Sequence, residues 1–388
     1  MNIVSFRQTA DQCINSPRVS RSSLNAALNR FDTKHSHSSI DRNGMGSNWK
    51  DHLLLSGLPL EQSVIKELWE IYTEHYQVSQ KALESEDSRF SNQLIEFNCP
   101  RPYPYERIDE NGRIRTFSVD VRYCHSFPKS GLNVDSIIEC KYRHPSKKWV
   151  FTQSIARVAY TANLVGNPFL TLVVPDDCWD ANRNFIDRNV LCSEFQKYPC
   201  CNSAIEISDK DNNPKSIHQA IRQSTYGYLA WVHHLLNTFL SGGGGSFNWS
   251  SFENGPRIVI PIVVTTAPLL VLRKQTNLEE IYSASSLEDI TTEHPVLLLE
   301  THPDHDQREF SEWMERHTWK EVDLTPEELS NIESELTVTL YKQPISSYYE
   351  KIKNNIPRYV MFINYYQFAD SIKDVFRSCE RASWRNAK

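Results

Sequence analysis

No stretch of this 388-residue chain reaches the roughly 18 consecutive apolar residues that mark a membrane-spanning helix. The longest apolar run, Ile258 to Leu272, is interrupted by Pro261, Thr265, Thr266 and Pro268. The amino-terminus lacks the basic-then-apolar pattern of a secretory signal. These absences point to a soluble, cytoplasmic protein with no membrane partner. Cys-x-x-Cys is missing too. The nine cysteines are scattered, and the adjacent Cys200 and Cys201 are poorly spaced to share one tetrahedral zinc. They read better as reduced, partly buried thiols. There is no Gly-x-x-x-x-Gly-Lys phosphate loop, which excludes an ATPase of that kind. A basic excess is also lacking: the net charge is −6 and the pI is about 6.1. Proteins that only coat nucleic acid are usually basic, so contact with such a polymer would need a local basic patch. An acidic balance suits an enzyme whose carboxylates gather metal ions.

The chain is long enough for two domains, or for one large domain with insertions. Hydrophobic residues make up 39% of it, with 17 Phe, 17 Tyr and 9 Trp, enough for a substantial core. Residues 1–55 read as a flexible polar leader with a short helix near Ser22 to Arg30. Pro59 suits a helix start, and Leu60, Val64, Leu68, Ile71 and Tyr72 follow at helical spacing to about Leu83. Two extended segments come next, Arg113 to His125 and Val134 to Tyr142. Asn111-Gly112 marks a turn before the first, after Tyr105-Glu106-Arg107, and Pro128 to Gly131 marks a turn between the two. The expectation is a three-stranded antiparallel meander.

Residues 146–215 read as an insertion, with a helix over Gln153 to Leu164 and a strand over Phe169 to Val174. A helix follows from Ser216 to Leu240. The glycine tract Ser241 to Ser246 reads as flexible, whether natural or engineered. Ile258 to Val264 and Leu269 to Arg273 look like buried strands. Residues 276–388 are expected to be a mostly helical extension. Within it Thr325-Pro326-Glu327-Glu328 opens a helix, Arg358 to Tyr365 is an edge strand, and a helix runs from Gln367 to Phe376.

Chemistry gathers on the meander. Glu139-Cys140-Lys141 has the form acid-x-Lys, which means little alone, since Asp32-Thr33-Lys34 fits equally well. On a strand, however, Glu139 and Lys141 share a face. A turn centred between Lys129 and Ser130 makes opposed residue numbers sum to 259, which sets Asp120 across from Glu139. Like charges so opposed destabilise a sheet, and a divalent cation between them reverses that sign. Mg²⁺ is commonly held by one or two carboxylates plus water. Asp120 and Glu139 would then hold the metal, with the Cys140 backbone carbonyl as an additional ligand, and Lys141 would orient the attacking water and neutralise the developing charge. Arg143, Lys147 and Lys148 follow closely enough to meet backbone phosphates. By itself the ribbon reads at least as well as an ordinary surface hairpin with a cross-strand salt bridge.

A wider pattern shifts that balance. Its segments are Ser56-Gly57-Leu58-Pro59-Leu60-Glu61, Tyr103-Pro104-Tyr105-Glu106-Arg107, Phe117-Ser118-Val119-Asp120-Val121, Ile138-Glu139-Cys140-Lys141-Tyr142-Arg143, Ala220-Ile221-Arg222-Gln223 and Pro261 to Ala267. In this order they resemble the PD-(D/E)XK nuclease superfamily, of prokaryotic standalone type. The resemblance covers residues 56–145 and 216–275. It implies an α/β restriction-endonuclease-like core of helix, three-stranded meander, helix and strand, with an inserted lobe and the C-terminal extension. It also implies that Glu61 on the first helix joins the metal cluster and that Gln223, with Gln219 as substitute, faces the site. The implied activity is Mg²⁺- or Mn²⁺-dependent endonuclease hydrolysis of DNA in bacterial restriction or anti-phage defence, with room for a protein partner in a complex or for self-association. Two departures stand out: no proline precedes Asp120, and about seventy residues separate the Glu-x-Lys strand from its helix. The alternatives are an RNase and a nucleic-acid-binding or scaffolding protein that kept the fold without activity.

Other candidates read more plainly. His302-Pro303-Asp304-His305-Asp306 suits a loop better than a metal site, His233 and His234 suit helix packing, and Trp149 and Phe151 suit a core better than base stacking.

Overall fold

The computed structural model describes residues 49–83, 99–108, 112–127, 132–153, 170–172, 184–186, 188–208, 215–240, 257–274, 276–301, 305–321 and 357–385. Expectations for the leader before residue 49, the helix over 154–164, the 128–131 turn, the glycine tract, His302 to Asp304 and the helix opening at Thr325 fall outside these residues.

The first half contains α1 (Trp49–Leu55), α2 (Leu58–Leu83), β1 (Arg101–Ile108), β2 (Ile114–Phe127), β3 (Leu132–Lys141), β4 (Lys148–Thr152), β5 (Leu170–Leu172) and β6 (Asn184–Ile186). Then come α3 (Arg188–Phe195), β7 (Cys200–Cys201), β8 (Ser203–Ile207), α4 (Lys215–Leu240), β9 (Arg257–Thr265) and β10 (Leu269–Leu272). The remainder supplies α5 (Leu278–Ser283), β11 (Thr291–Glu293), β12 (Val296–Glu300), α6 (His305–Glu321), β13 (Tyr359–Asn364), α7 (Phe368–Ala382) and β14 (Ser383–Arg385).

The architecture is α/β around a mixed sheet in the order β1-β2-β3-β9-β13-β12-β7, with β5 also paired to β9. The meander β1-β2-β3 is antiparallel, as its turn signals require. β3, β9 and β13 run parallel, and β12 is antiparallel to β13. A second sheet, β11-β10-β4-β8, and the pair β14-β6 complete the strands.

The central strands are apolar on both faces because both are covered. On one face Val134, Ile138, Ile258, Ile260, Ile262 and Met361 pack under α2, α3 and α7. On the other, Val119, Ile137 and Val259 pack under α4 and α6, while Val263, Leu297, Val360 and Phe362 meet the second sheet through Trp149, Phe151 and Leu269. Trp149 and Phe151 are therefore core residues and present no stacking surface.

Three regions differ from the sequence reading. The last residues of the expected flexible leader, Trp49–Leu55, form helix α1. Residues 276–388, expected to be mostly helical with an edge strand, place β13 inside the sheet between β9 and β12. The segment 146–215, expected as an inserted lobe, gives β4 and β8 to the second sheet and β7 to the margin of the first. The latter two regions both contribute strands to the meander's own sheet: β12 and β13 from 276–388, β5 and β7 from 146–215.

Two glycines set the frame of the site. Gly57, at φ +82°, ends α1, and its carbonyl accepts the N–H of Glu61, which fixes Glu61 in the first turn of α2. Gly227 lets α4 lie against the meander: a Cβ there would sit 2.6 Å from Val119 Cγ2 and 3.2 Å from Ile137 Cγ2.

Candidate active site

The β2–β3 register pairs Val121 with Ile138, the sum of 259 read from the turn, so Asp120 follows on β2 at the position opposite Glu139. A local irregularity matters here. Between the pairs Arg101–Arg122 and Tyr103–Val119, β1 advances two residues while β2 advances three. The extra residue is a β-bulge in the stretch holding Asp120, and a bulge bends the strand and re-aims its side chains. The last paired rung of β2 with β3 is Val121–Ile138. The next N–H of β3 on the side facing β2, that of Cys140, donates to Oδ2 of Asp120 at 2.7 Å. The Asp120 carboxylate thus takes the place of a ladder carbonyl.

Glu139 and Lys141 lie on the face of β3 covered by α4. Lys141 Nζ donates to Glu139 Oε1 at 2.6 Å and to Gln223 Oε1 of α4 at 2.7 Å. Three residues from separate positions in the chain therefore meet at one ammonium group. Gln223 is one turn before Gly227 on α4, so the close approach at Gly227 is what brings its amide within reach. Gln219 is exposed and takes no part.

The electrostatics are those of crowded carboxylates. Glu139 is 1% exposed. Burial holds its carboxyl up at about 8, with Asp120 and Glu61 adding repulsion against the pull of Lys141. Asp120 is also raised by burial, opposed by the Cys140 N–H and Lys141. Glu61 is raised by burial and by the charge of Asp120, which brings the first-helix glutamate into the same electrostatic group. Glu139 Oε2 is buried and makes no hydrogen bond.

An oxygen-seeking divalent cation fits this donor set. Two carboxylates lie on adjacent strand positions, and one has a buried oxygen in want of a partner. Cys140 turns its N–H toward β2, and a strand residue presents its carbonyl to the same neighbour. Among the described residues no three His, Cys, Asp or Glu side chains are already drawn together as a ligand set. A Mg²⁺ site needs only one or two carboxylates, with water completing the shell.

Comparison of the chain with protein-family models, with curated proteins and with solved structures found no match.

The basic residues after Lys141 are bound to acids. Arg143 Nε donates to Glu206 Oε2 at 2.9 Å, Lys147 lies 3.7 Å from Glu206 Oε1, and Lys148 pairs with Glu288. Glu206 Oε2 also accepts from Trp149 Nε1 and from Ser216 Oγ at the start of α4. Its carboxyl stays below the usual range because these hydrogen bonds and the Arg143 and Lys147 charges outweigh burial. This hub ties the chain just past Lys141 to β8 and α4. The hub escapes a sequence reading because its members are up to 73 residues apart, Arg143 to Ser216. His233 is buried beside Ser311 of α6, a packing role as expected, and His234 lies on the exposed side of α4.

Proposed function

We propose that the chain is a metal-dependent nuclease of the PD-(D/E)XK type that hydrolyses DNA phosphodiester bonds, with Asp120, Glu139, Lys141, Glu61 and Gln223 as its site. The observation that carries this reading is the convergence of Glu139 and Gln223 on Lys141 Nζ beside Asp120. A structural salt bridge needs no third partner and no repelling carboxylate next to it. A Mg²⁺ or Mn²⁺ ion at Asp120 and Glu139, when bound, supplies an activated water and offsets charge on the phosphate.

The protein's own groups do the rest. An ammonium has three donors. Two of those on Lys141 are committed to Glu139 and Gln223, which aims the third at the attacking water or at the charge growing on the phosphate. Gln223 keeps Lys141 from folding wholly onto Glu139. The Cys140 N–H holds Oδ2 of Asp120, so Oδ1 is the oxygen that would meet a ligand. Glu61, at the start of α2, adds a third carboxylate at the margin. A setting in bacterial defence, a protein partner and a cytoplasmic location belong to the same proposal.

The rival reading is a nucleic-acid-binding protein of the same fold without activity. The lack of a preformed three-residue ligand set among the described residues favours it. Incubation with supercoiled plasmid, single-stranded DNA and RNA, each with Mg²⁺, Mn²⁺ or EDTA, separates these readings. Metal-dependent nicking that is lost in Glu139→Gln and Lys141→Ala is the expected result. Nicking that persists in both variants, or no cleavage of any substrate, overturns the proposal, and preferential RNA cleavage reassigns the substrate.

A further inference from the structure

We propose that Arg107 anchors a backbone phosphate flanking the one that is cut, an inference that rests on the nuclease reading above. Its guanidinium lies between two rings, 4.3 Å from the centroid of Phe117 and 4.3 Å from that of Tyr226. Both rings belong to the cluster that fastens α4 to the meander. The cation is therefore held in place by stacking. Its Nε is buried with no hydrogen-bond partner, and among the described residues no carboxylate pairs with it. Other arginines of the chain are matched: Arg122 and Arg257 with Asp135, Arg143 with Glu206, Arg222 with Asp306.

Arg107 lies on β1 opposite Arg115 of β2. A positioned guanidinium favours a phosphate or carboxylate taken through two parallel hydrogen bonds. Location selects between them. Phe117, under the guanidinium, precedes Asp120 by three residues on β2, roughly 10 Å along the strand. Tyr226, on its other side, follows Gln223 by three on α4, a helical neighbour. Arg107 thus stands beside the carboxylates but away from the bond they would attack, the place for a neighbouring phosphate of the same strand.

The test measures binding of the full chain to a labelled DNA duplex in EDTA, so that nothing is cut, from about 50 to 200 mM salt. Arg107→Met keeps an unbranched stem between the rings and removes the charge. It should bind roughly tenfold more weakly than the parent and show a salt slope shallower by about 0.9, one phosphate contact fewer. Arg107→Lys should keep the slope. A purely structural Arg107 would lower the melting temperature and leave the slope alone. The inference fails if Arg107→Met matches the parent in affinity and slope, or if Arg107→Lys is as weak as Arg107→Met. It also fails if inorganic phosphate, at matched ionic strength, displaces the duplex, since the site would then serve a free anion. Should Arg107→Met not fold, Arg107→Gln is read by the same slope. Cleavage in Mg²⁺ together with an unaffected Arg107→Met removes the anchor alone. Arg107-dependent binding without any cleavage removes the nuclease reading alone.

Discussion

The backbone N–H of Cys140 donates to the side chain of Asp120 at 2.7 Å, at the position where a strand carbonyl of β2 would ordinarily accept. The bulge in β2 makes this substitution feasible. It makes Val121–Ile138 the last paired rung of the two strands before the acids.

Removing the ammonium should be the most damaging change to activity. Lys141→Ala is expected to lower the cleavage rate by about 10²–10⁴-fold. Gln223→Ala should cost less, because Glu139 still holds Lys141. Single-turnover rates on one duplex substrate, with circular dichroism to confirm the fold, check the order of the two effects.

The raised carboxyl of Glu139 predicts a pH-dependent stability in the absence of metal. Its folded value, about 8, lies above the ordinary glutamate value of 4.5. The folded state therefore binds the extra proton, and stability should fall as pH rises from about 5 toward 8. Asp120 and Glu61 shift in the same direction. Asp135 and Glu206 are lowered, so their contribution is present above the ordinary carboxylate range and is lost only in acid. Melting temperatures in EDTA should decline across this window in the parent and stay flatter in Glu139→Gln. Added Mg²⁺ should restore the parent increasingly as pH rises and should release protons on binding. A parent curve no steeper than that of the variant would contradict the assignment.

Gly227→Ala tests the close approach of α4. Alanine is the better helix former by about 1 kcal/mol, yet the added methyl would meet Val119 at 2.6 Å. Overpacking of about 1–3 kcal/mol should win. Urea denaturation should show net destabilisation, and cleavage should fall because Gln223 moves with the helix.

Glu206→Ala should destabilise the fold by about 3 kcal/mol, the lower end for a broken buried pair. Arg143, its partner, is partly open to water. Denaturant midpoints measure this. Glu206→Gln should recover part of the loss, since it retains an acceptor for Trp149 and Ser216.

The hairpin and its acids were legible in the residue order because they depend on local rules: a turn, a period of two and a register counted from the turn. Glu139 and Lys141 on one face follow from strand geometry alone. The position of β13 does not. Tyr359 to Ile363 reads as a strand from its apolar run, but strand order is decided by packing between distant segments. The same limit hid β4, β7 and β8, which are two to five residues long. The bulge at Asp120 carries no glycine to announce it, and the Arg107 stack needs Phe117 and Tyr226 brought together from 109 residues apart.

The interior place of β13 has a consequence for biosynthesis. β9 pairs with β3 along one edge, and on its other edge β5 covers Arg257 to Val259, while Ile262 to Thr265 stay open until Tyr359 to Asn364 arrive to close them. A nascent chain that has not yet exported those residues would offer that bare edge to any extended peptide nearby.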